Sequence, residues 1–236
     1  MKLKDYQRKL IAMFVASDGK KMRGLQTKVR AGRGEIYLYG PIYDDSYFFF
    51  DEDGVSSKGV RKALDEVGDK PVDLYINSPG GDVFEGRAIQ SILKRHAQEV
   101  TAIVDGLCAS AATTVALGAT TVKMNLGTRF MIHNSWTFTF GDKADHLQTA
   151  DLLSELDRDI AADYAEKTGK SQQDILDLMS EEKWFGAEEA VDYGLCDELV
   201  NPRDDSDGDP ADRTQNAIDA NRQRMAAFAE MLNFNN

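Results

Sequence analysis

Between Gly34 and Ala119 a short β-patterned run is followed by a helix-patterned one three times over, an order that few chain topologies accommodate. "GEIYLYGPI" sets Ile36 and Leu38 against Tyr37 and Tyr39, the period of a strand. "SSKGVRKALDEVG" follows, with Ser56 or Ser57 as N-cap and Val60, Leu64 and Val67 on one helical face. "PVDLYIN" is the second strand, and "VFEGRAIQSILKRH" a helix with the stripe Phe84, Ala88, Ile89, Ile92, Leu93. "EVTAIV" and "SAATTVALGA" complete the third pair. This order predicts an α/β fold, a mainly parallel sheet or spiral with helices packed outside. In such folds chemistry gathers where strands end at their carboxyl side. "NSPGGD" and "DGLCAS" hold that position.

Downstream, "TTVKMNLGTRFMIHNS" reads as two short strands around a turn at Asn125–Gly127. "WTFTFGDKA" alternates Trp136, Phe138 and Phe140 with Thr137 and Thr139. A long helix runs through "ADHLQTADLLSELDRDIAADYAEKTG" to Gly169, with Leu153, Leu156, Ile160 and Tyr164 spaced like a coiled-coil seam, a narrow stripe suited to another subunit. "SQQDILDLMS", capped by Ser171, and "FGAEEAVDYG", stopped by Gly194, are shorter helices, and "LCDELV" is a closing strand. The regular region, residues 35–200, is flanked by two segments of different character. Residues 1–34 hold a possible helix, "LKDYQRKLIAMFVA", and a Gly- and Lys-rich linker. Residues 201–236 hold the acidic linker "NPRDDSDGDPADRT" and a possible helix with Ile218, Met225, Phe228 and Leu232 on one side.

Charge is divided unevenly. Residues 1–34 carry ten Lys or Arg against two Asp; since the whole chain carries −12, the remainder, with 18 basic and 38 acidic residues, carries −20. An acidic body of that kind excludes nucleic acid as its partner. The basic arm suits either nucleic acid or an acidic surface of its own assembly, and the second is the reading favoured. No run of about 18 apolar residues appears, so no membrane span is expected, and the N-terminus lacks the apolar core of a signal peptide. Cys108 and Cys196 sit in apolar patterns without metal-ligand spacing and read as reduced core residues of an intracellular protein.

Only three histidines are available as a general base. His96 ends a helix amid Lys, Arg and Gln, and His146 opens the long helix; both read as solvated. His133 follows the apolar run Phe130, Met131, Ile132 at a strand end, a place that suits structure or catalysis. Ser110 stands where a strand turns into a helix among small residues, so it is a cap, a packing device or a nucleophile. The Gly-x-Ser-x-Gly elbow is absent, because Ala109 and Ala111 flank it. Its own N–H and that of Ala111 lie among the unpaired donors of a first helical turn and are expected to be able to hold a developing oxyanion. In "NSPGG", Pro79 stiffens the turn while Gly80 and Gly81 let backbone approach a substrate. Gly-Gly equally suits a plain strand-to-helix turn, and the missing Lys of Gly-Lys-Ser/Thr argues against a phosphate loop.

Taken in order, "YINSPGGD", "GLCASAATTVALGA", "RFMIHN" and "WFGAEEAVDYGLCDELV" resemble the proteolytic subunit of Clp protease, a serine peptidase, over about Gly34 to Val200. The flanking segments and the divergent sequence between motifs resemble the Clp-related head-maturation proteases of tailed phages and prophages. The resemblance implies a spiral of βαβ units, shared with crotonases, bearing a protruding strand–helix handle. It implies Ser110 as nucleophile, His133 as general base, and the N–H groups of Gly81 and Ala111 as oxyanion hole. The third member, an aspartate in the family, falls on Glu182, with Glu181, Asp177 or a water-bridged arrangement as alternatives. Gly80 and the segment Trp136, Thr137, Phe138 would lie along the substrate. The implied partners are a polypeptide substrate (phage scaffold or capsid precursors), further copies in a homo-oligomeric ring, and, if the role is degradative, an ATPase. No metal or organic cofactor is required, and the implied location is the host cytoplasm or the phage prohead.

Three other readings compete. A crotonase-type acyl-CoA enzyme would not need Ser110 and His133 together. A Ser–Lys peptidase would draw on Lys94 or Lys123. A degenerate, non-catalytic Clp-like subunit would serve as a scaffold or assembly protein.

Overall fold

The computed structural model describes residues 24–44 and 54–200. The helix read at 3–16, the acidic linker and the C-terminal helix lie outside these residues.

The first strand is one that composition obscures. Gly24–Arg30 (β1) pairs antiparallel with Arg33–Tyr39 (β2) through Ala31 and Gly32, whose φ angles of 50° and 81° make a tight two-residue hairpin. The stretch read as the end of a Gly- and Lys-rich linker is therefore part of the sheet. Its Leu25, Thr27 and Val29 alternate with Gln26, Lys28 and Arg30, as an edge strand requires.

From β2 the chain repeats the expected crossover. Helix α1 (Ser57–Val67) is capped by Ser56, whose hydroxyl accepts from Gly59 N–H at 3.0 Å, and it buries Val60, Ala63, Leu64 and Val67. β3 (Val72–Ser78) then runs parallel to β2; α2 (Val83–Lys94) leads to β4 (Val100–Ala109), parallel to β3. Ile36, Leu38, Leu74, Ile76, Ala102 and Val104 are fully buried. The intervening Tyr37 and Tyr75 are only half-buried and stack at 4.9 Å between centroids. On α2 the stripe is Ile89, Ile92 and Leu93; Phe84, expected to share it, is 63 % exposed because it lies in the helix's first turn, away from the core.

β4 is the pivot of the sheet. Its first half pairs with β5 (Thr121–Asn125), reached through α3 (Ala111–Ala116), and its last three residues pair with β6 (Arg129–Ile132). Two successive strands can share one edge only if that edge bends. The bend is visible as a register shift between Ile76 and Ser78, opposite residues 105–107. Asn77 fills it: its Oδ1 accepts from Leu107 N–H at 3.1 Å, and a Cβ on Gly106 would stand 2.6 Å from the same atom.

The remaining elements brace β6. α4 (Lys143–Thr168) opens on a capping box, Asp142 with Asp145, and ends at left-handed Gly169. α5 (Gln172–Ser180), capped by Ser171, leads into β7 (Lys183–Gly186), which pairs antiparallel with β6; α6 (Ala187–Tyr193) ends at Gly194, and β8 (Glu198–Val200) lies beside β5. The expected seam on α4 is divided. Ile160 and Tyr164 are buried against the chain's own body, Leu153 and Leu156 only partly, and Leu147 and Leu152 are exposed. Among the described residues no helix is long and apolar enough to cross a membrane. Cys108 and Cys196 are buried free thiols, and burial pushes the Cys196 thiol up to about 12.

Phe130 is fully buried on β6, paired with Cys108 on one side and Phe185 on the other. Phe130→Ala should therefore cost about 3–5 kcal/mol, read as a lower urea midpoint at unchanged m-value.

Candidate active site

The glycine loop is shaped before any ligand arrives. β3 ends at buried Ser78, whose hydroxyl accepts from Gly80 N–H at 3.1 Å and turns the chain sharply. Gly80 has φ 86°, and a Cβ there would stand 2.5 Å from the Ala109 carbonyl oxygen and 2.7 Å from the Ala111 nitrogen. At Gly81 (φ 150°) a Cβ would collide with the Ile42 carbonyl. Ile42 N–H donates to Gly80 O at 2.9 Å and Asp82 N–H to Ile42 O at 2.8 Å, a bridge that does not use the Gly81 N–H. Two glycines are needed because backbone presses on both sides of the loop.

The serine turn lies against this loop. Ser110 joins β4 to α3 with φ 55° and ψ −129°, a conformation that costs a non-glycine residue about 1–3 kcal/mol. The turn is held from both ends. Ser110 N–H donates to Met131 O at 3.0 Å, and Ser110 O accepts from Thr113 N–H at 2.9 Å and Thr113 Oγ1 at 2.5 Å. The Ser110 N–H, expected among the oxyanion donors, is thus committed to β6; the peptide that follows it belongs to α3.

The histidine arrives from the next strand. Ala109 pairs with Met131; His133 follows two residues on, just past the serine's level, and its Nε2 lies 2.8 Å from Ser110 Oγ. The residues after it are tied down. Asn134 N–H donates to Met179 O at 3.1 Å, while Ser135 donates its N–H (2.6 Å) and hydroxyl (2.7 Å) to Asp157 Oδ1 on α4. A hydroxyl at hydrogen-bond distance from an imidazole has the geometry for proton transfer and hence for nucleophilic attack. Val83, Ala111, Thr114, Ile160 and Tyr164 line a cavity beside this pair, with about 20 Å³ of free volume, enough for one water.

The acidic candidates separate by register. β6 and β7 pair Ile132 with Lys183, and His133 and Glu182 are the residues that adjoin this last pair. Glu182 is half-buried, has φ 57°, and its Oε1 accepts from Trp184 Nε1 at 3.4 Å. Glu181 and Asp177 are exposed, and Asp177 Oδ1 accepts from Gln173 at 2.8 Å. Trp136 and Phe138 are 65 % and 81 % exposed, their rings 5.6 Å apart on a segment that also carries Thr137. Among the described residues no strand pairs with that segment. The other basic candidates stand elsewhere. Lys123 is 2.6 Å from Glu198, Lys94 is exposed at the end of α2, His96 contacts Lys70 O at 2.9 Å, and His146 is exposed on α4. Sequence reasoning missed Ile42, Thr113, Ser135 and Asp157. Of these only the Thr113–Thr114 pair inside an otherwise apolar helix gave a signal. Among the described residues no His, Cys, Asp and Glu side chains cluster as a metal site would.

Residues 62–203 match the family described as Clp protease. The chain is 32% identical over 133 residues to the ATP-dependent Clp protease proteolytic subunit 2 of Corynebacterium efficiens, covering 56% of this chain and 67% of that one. It is 31% identical over 137 residues to the protein of the same name from Bifidobacterium longum, covering 57% and 66%. The chain thus spans about two thirds of the length of these curated relatives. Among solved structures, a ClpP1 mutant from Listeria monocytogenes superposes with a TM-score of 0.60 at 27% identity, covering 72% of this chain and 92% of that one.

Because Gly80 touches both Ala109 and Ala111, Gly80→Ala should push the serine turn off the imidazole. The expected outcome is a folded protein, by circular dichroism, whose Ser110 reacts with a fluorophosphonate at least about tenfold more slowly; displacement by 1 Å commonly costs more.

Proposed function

The chain belongs to the Clp protease family of serine-type endopeptidases, and from that premise we propose that it cuts polypeptides with Ser110 as nucleophile, His133 as general base and Glu182 as the carboxylate orienting the imidazole. The observation that carries this is the 2.8 Å contact between Ser110 Oγ and His133 Nε2. Neutral His133 takes the hydroxyl proton as the oxygen attacks a peptide carbonyl. The N–H groups of Gly81 and Ala111 hold the oxyanion. His133 then passes its proton to the leaving amine and draws one from the water that deacylates the enzyme. Glu182 fixes the tautomer in which Nε2 is free to accept. The segment Trp136, Thr137, Phe138, together with Gly80, offers main-chain groups along which a substrate strand lies, giving broad sequence tolerance. The chemistry needs no metal or organic cofactor.

Further copies of the chain complete the assembly, as a homo-oligomeric ring. The exposed Trp136, Phe138, Phe140, Leu147 and Leu152 support this, being an apolar strip beyond what a lone soluble subunit displays. The basic segment 1–34 and the acidic segment 201–236 frame the protease region, and with the divergence from the housekeeping subunits they favour a head-maturation role, the processing of phage scaffold or capsid precursors. An ATPase-fed degradative subunit is the second reading, supported by the names of the relatives. Defined fragments from a folded precursor without ATP support processing; cleavage only with an unfoldase and ATP supports degradation.

Ser110→Ala should assemble with unchanged native mass and lose at least about 10⁴-fold of its peptidase rate. A fluorophosphonate should mark Ser110 in the unaltered chain and not in His133→Ala. Absence of any adduct in an assembled, folded sample would leave a non-catalytic scaffold as the better reading. Glu182→Gln should fold and lose about 10²-fold or more of kcat; full activity moves the orienting role to another group.

A further inference from the structure

Thr113 and Tyr164 have no place in that account, yet both are almost fully buried directly behind the serine turn. Thr113 Oγ1 donates to the Ser110 carbonyl at 2.5 Å and is also hydrogen-bonded to the Tyr164 hydroxyl. A threonine hydroxyl carries a single proton, so with that proton on the carbonyl the second bond must run from Tyr164 to Thr113. The order is therefore Tyr164 O–H to Thr113 O–H to Ser110 C=O. A helical threonine often bonds back to an earlier carbonyl. Here that carbonyl belongs to the residue at the strained turn, and a second buried hydroxyl stands behind the first.

The carbonyl of Ser110 and the N–H of Ala111 are two ends of one peptide plane. In a trans peptide they point in opposite directions and cannot turn independently. Gripping the oxygen therefore aims the nitrogen. Donation to a carbonyl also polarises its amide, which makes the N–H on the far side a stronger donor. We infer that Tyr164 and Thr113 form a positioning relay that aims and strengthens the Ala111 N–H by holding the carbonyl of its own peptide from behind. The inference rests on the proposed role of Ala111 as an oxyanion donor. Neither side chain is a catalytic residue; both act through the backbone.

The relay is itself firmly seated. Asp163, next to Tyr164, accepts from Gln90 Nε2 at 3.1 Å and pairs with Arg87, which fastens α4 to α2. Burial raises the Tyr164 hydroxyl above its ordinary pKa, so it keeps its proton and remains a donor across the range in which a peptidase works. The relay adds no titration of its own.

The test uses the full-length assembled protein, a fluorogenic peptide and a fluorophosphonate. Thr113→Val keeps the shape and removes the hydroxyl; Tyr164→Phe keeps the ring. A misaimed donor should cost less than the about 10²–10³-fold of a deleted one, so Thr113→Val should lower kcat roughly 10-fold and Tyr164→Phe roughly 3-fold. KM should stay within about twofold, because the oxyanion exists only in the transition state. The double variant should be no slower than Thr113→Val, since the tyrosine acts only through the threonine, and Thr113→Ser should recover most of the rate. Unchanged kcat in both single variants, a loss carried by KM, or losses that multiply in the double variant would each overturn the relay. If Thr113→Val does not fold, kcat of Tyr164→Phe decides alone. Failure of the unaltered protein to label at Ser110 would bring down the peptidase reading and the relay with it; labelling there with unimpaired variants would bring down the relay only.

Discussion

The pairing of Ala109 with Met131 is the contact on which the rest of the molecule depends. It sets the end of β4 level with the end of β6, and Ser110 N–H extends it by one further bond to Met131 O. Strands have a period of two, so a slip of one residue would turn every side chain of β6 to the opposite face and carry His133 away from the serine. That register is reached because β4 changes neighbour part-way along, from β5 to β6, where Gly106 and Asn77 make the bend. A straight β4 would leave β6 no edge to occupy. The juxtaposition of hydroxyl and imidazole is thus a consequence of sheet topology before it is a matter of either side chain.

Much of this could be read from the chain, and what could not has physical causes. The helices were legible because caps and breakers are local chemistry: Ser56, Ser171, Gly169 and Gly194 do at those positions what their side chains, or the lack of one, dictate. β1 was not, because reading it as linker weighs its charge above its alternation, and Lys28 and Arg30 belong on an edge strand. The alternation in "WTFTFGDKA" forms no ladder within the chain, since its proposed neighbour is a substrate. A strand needs a neighbour, and among the described residues that segment has none. Phe84 illustrates a third limit: periodicity says which face a residue shares but not whether the core reaches as far as its turn.

The site shows the same division. Ser110, His133 and the two glycines stand at strand ends, where motif order alone can locate them. The acidic position is reached only through the resemblance, by reading back from "FGAEEAVDYG" to Glu182, because the sequence offers Glu181 and Asp177 nearby; the β6–β7 ladder, which ends on Ile132 and Lys183, brings the chain up to Glu182. Its backbone adds independent support for the assignment. Ala31, Ser110 and Glu182 are the non-glycine residues with positive φ among the described residues, and Ala31 is accounted for by a hairpin. Strain of that kind persists where surrounding contacts overrule it, and it gathers at functional sites. The other two sit at the proposed nucleophile and at the proposed orienting carboxylate.

Such strain has to be offset close to where it occurs. At Ser110 the offset is visible atom by atom: the N–H is bonded forward to Met131, the carbonyl backward to Thr113 twice, and Thr113 to Tyr164. With both main-chain groups committed, the only freedom left to the residue is rotation of its side chain. That rotation is what brings the hydroxyl to the imidazole. Behind the turn, hydrogen bonds are complete and no buried side-chain nitrogen or oxygen among the described residues lacks a partner. Beyond His133 the chain leaves a segment with exposed aromatic rings, Trp136, Phe138 and Phe140. A rigid back and an open front are what acyl transfer on a long substrate demands, because preorganised dipoles contribute to the rate only if they do not move. A polypeptide chain, meanwhile, can be held along its length only where main-chain groups are still available.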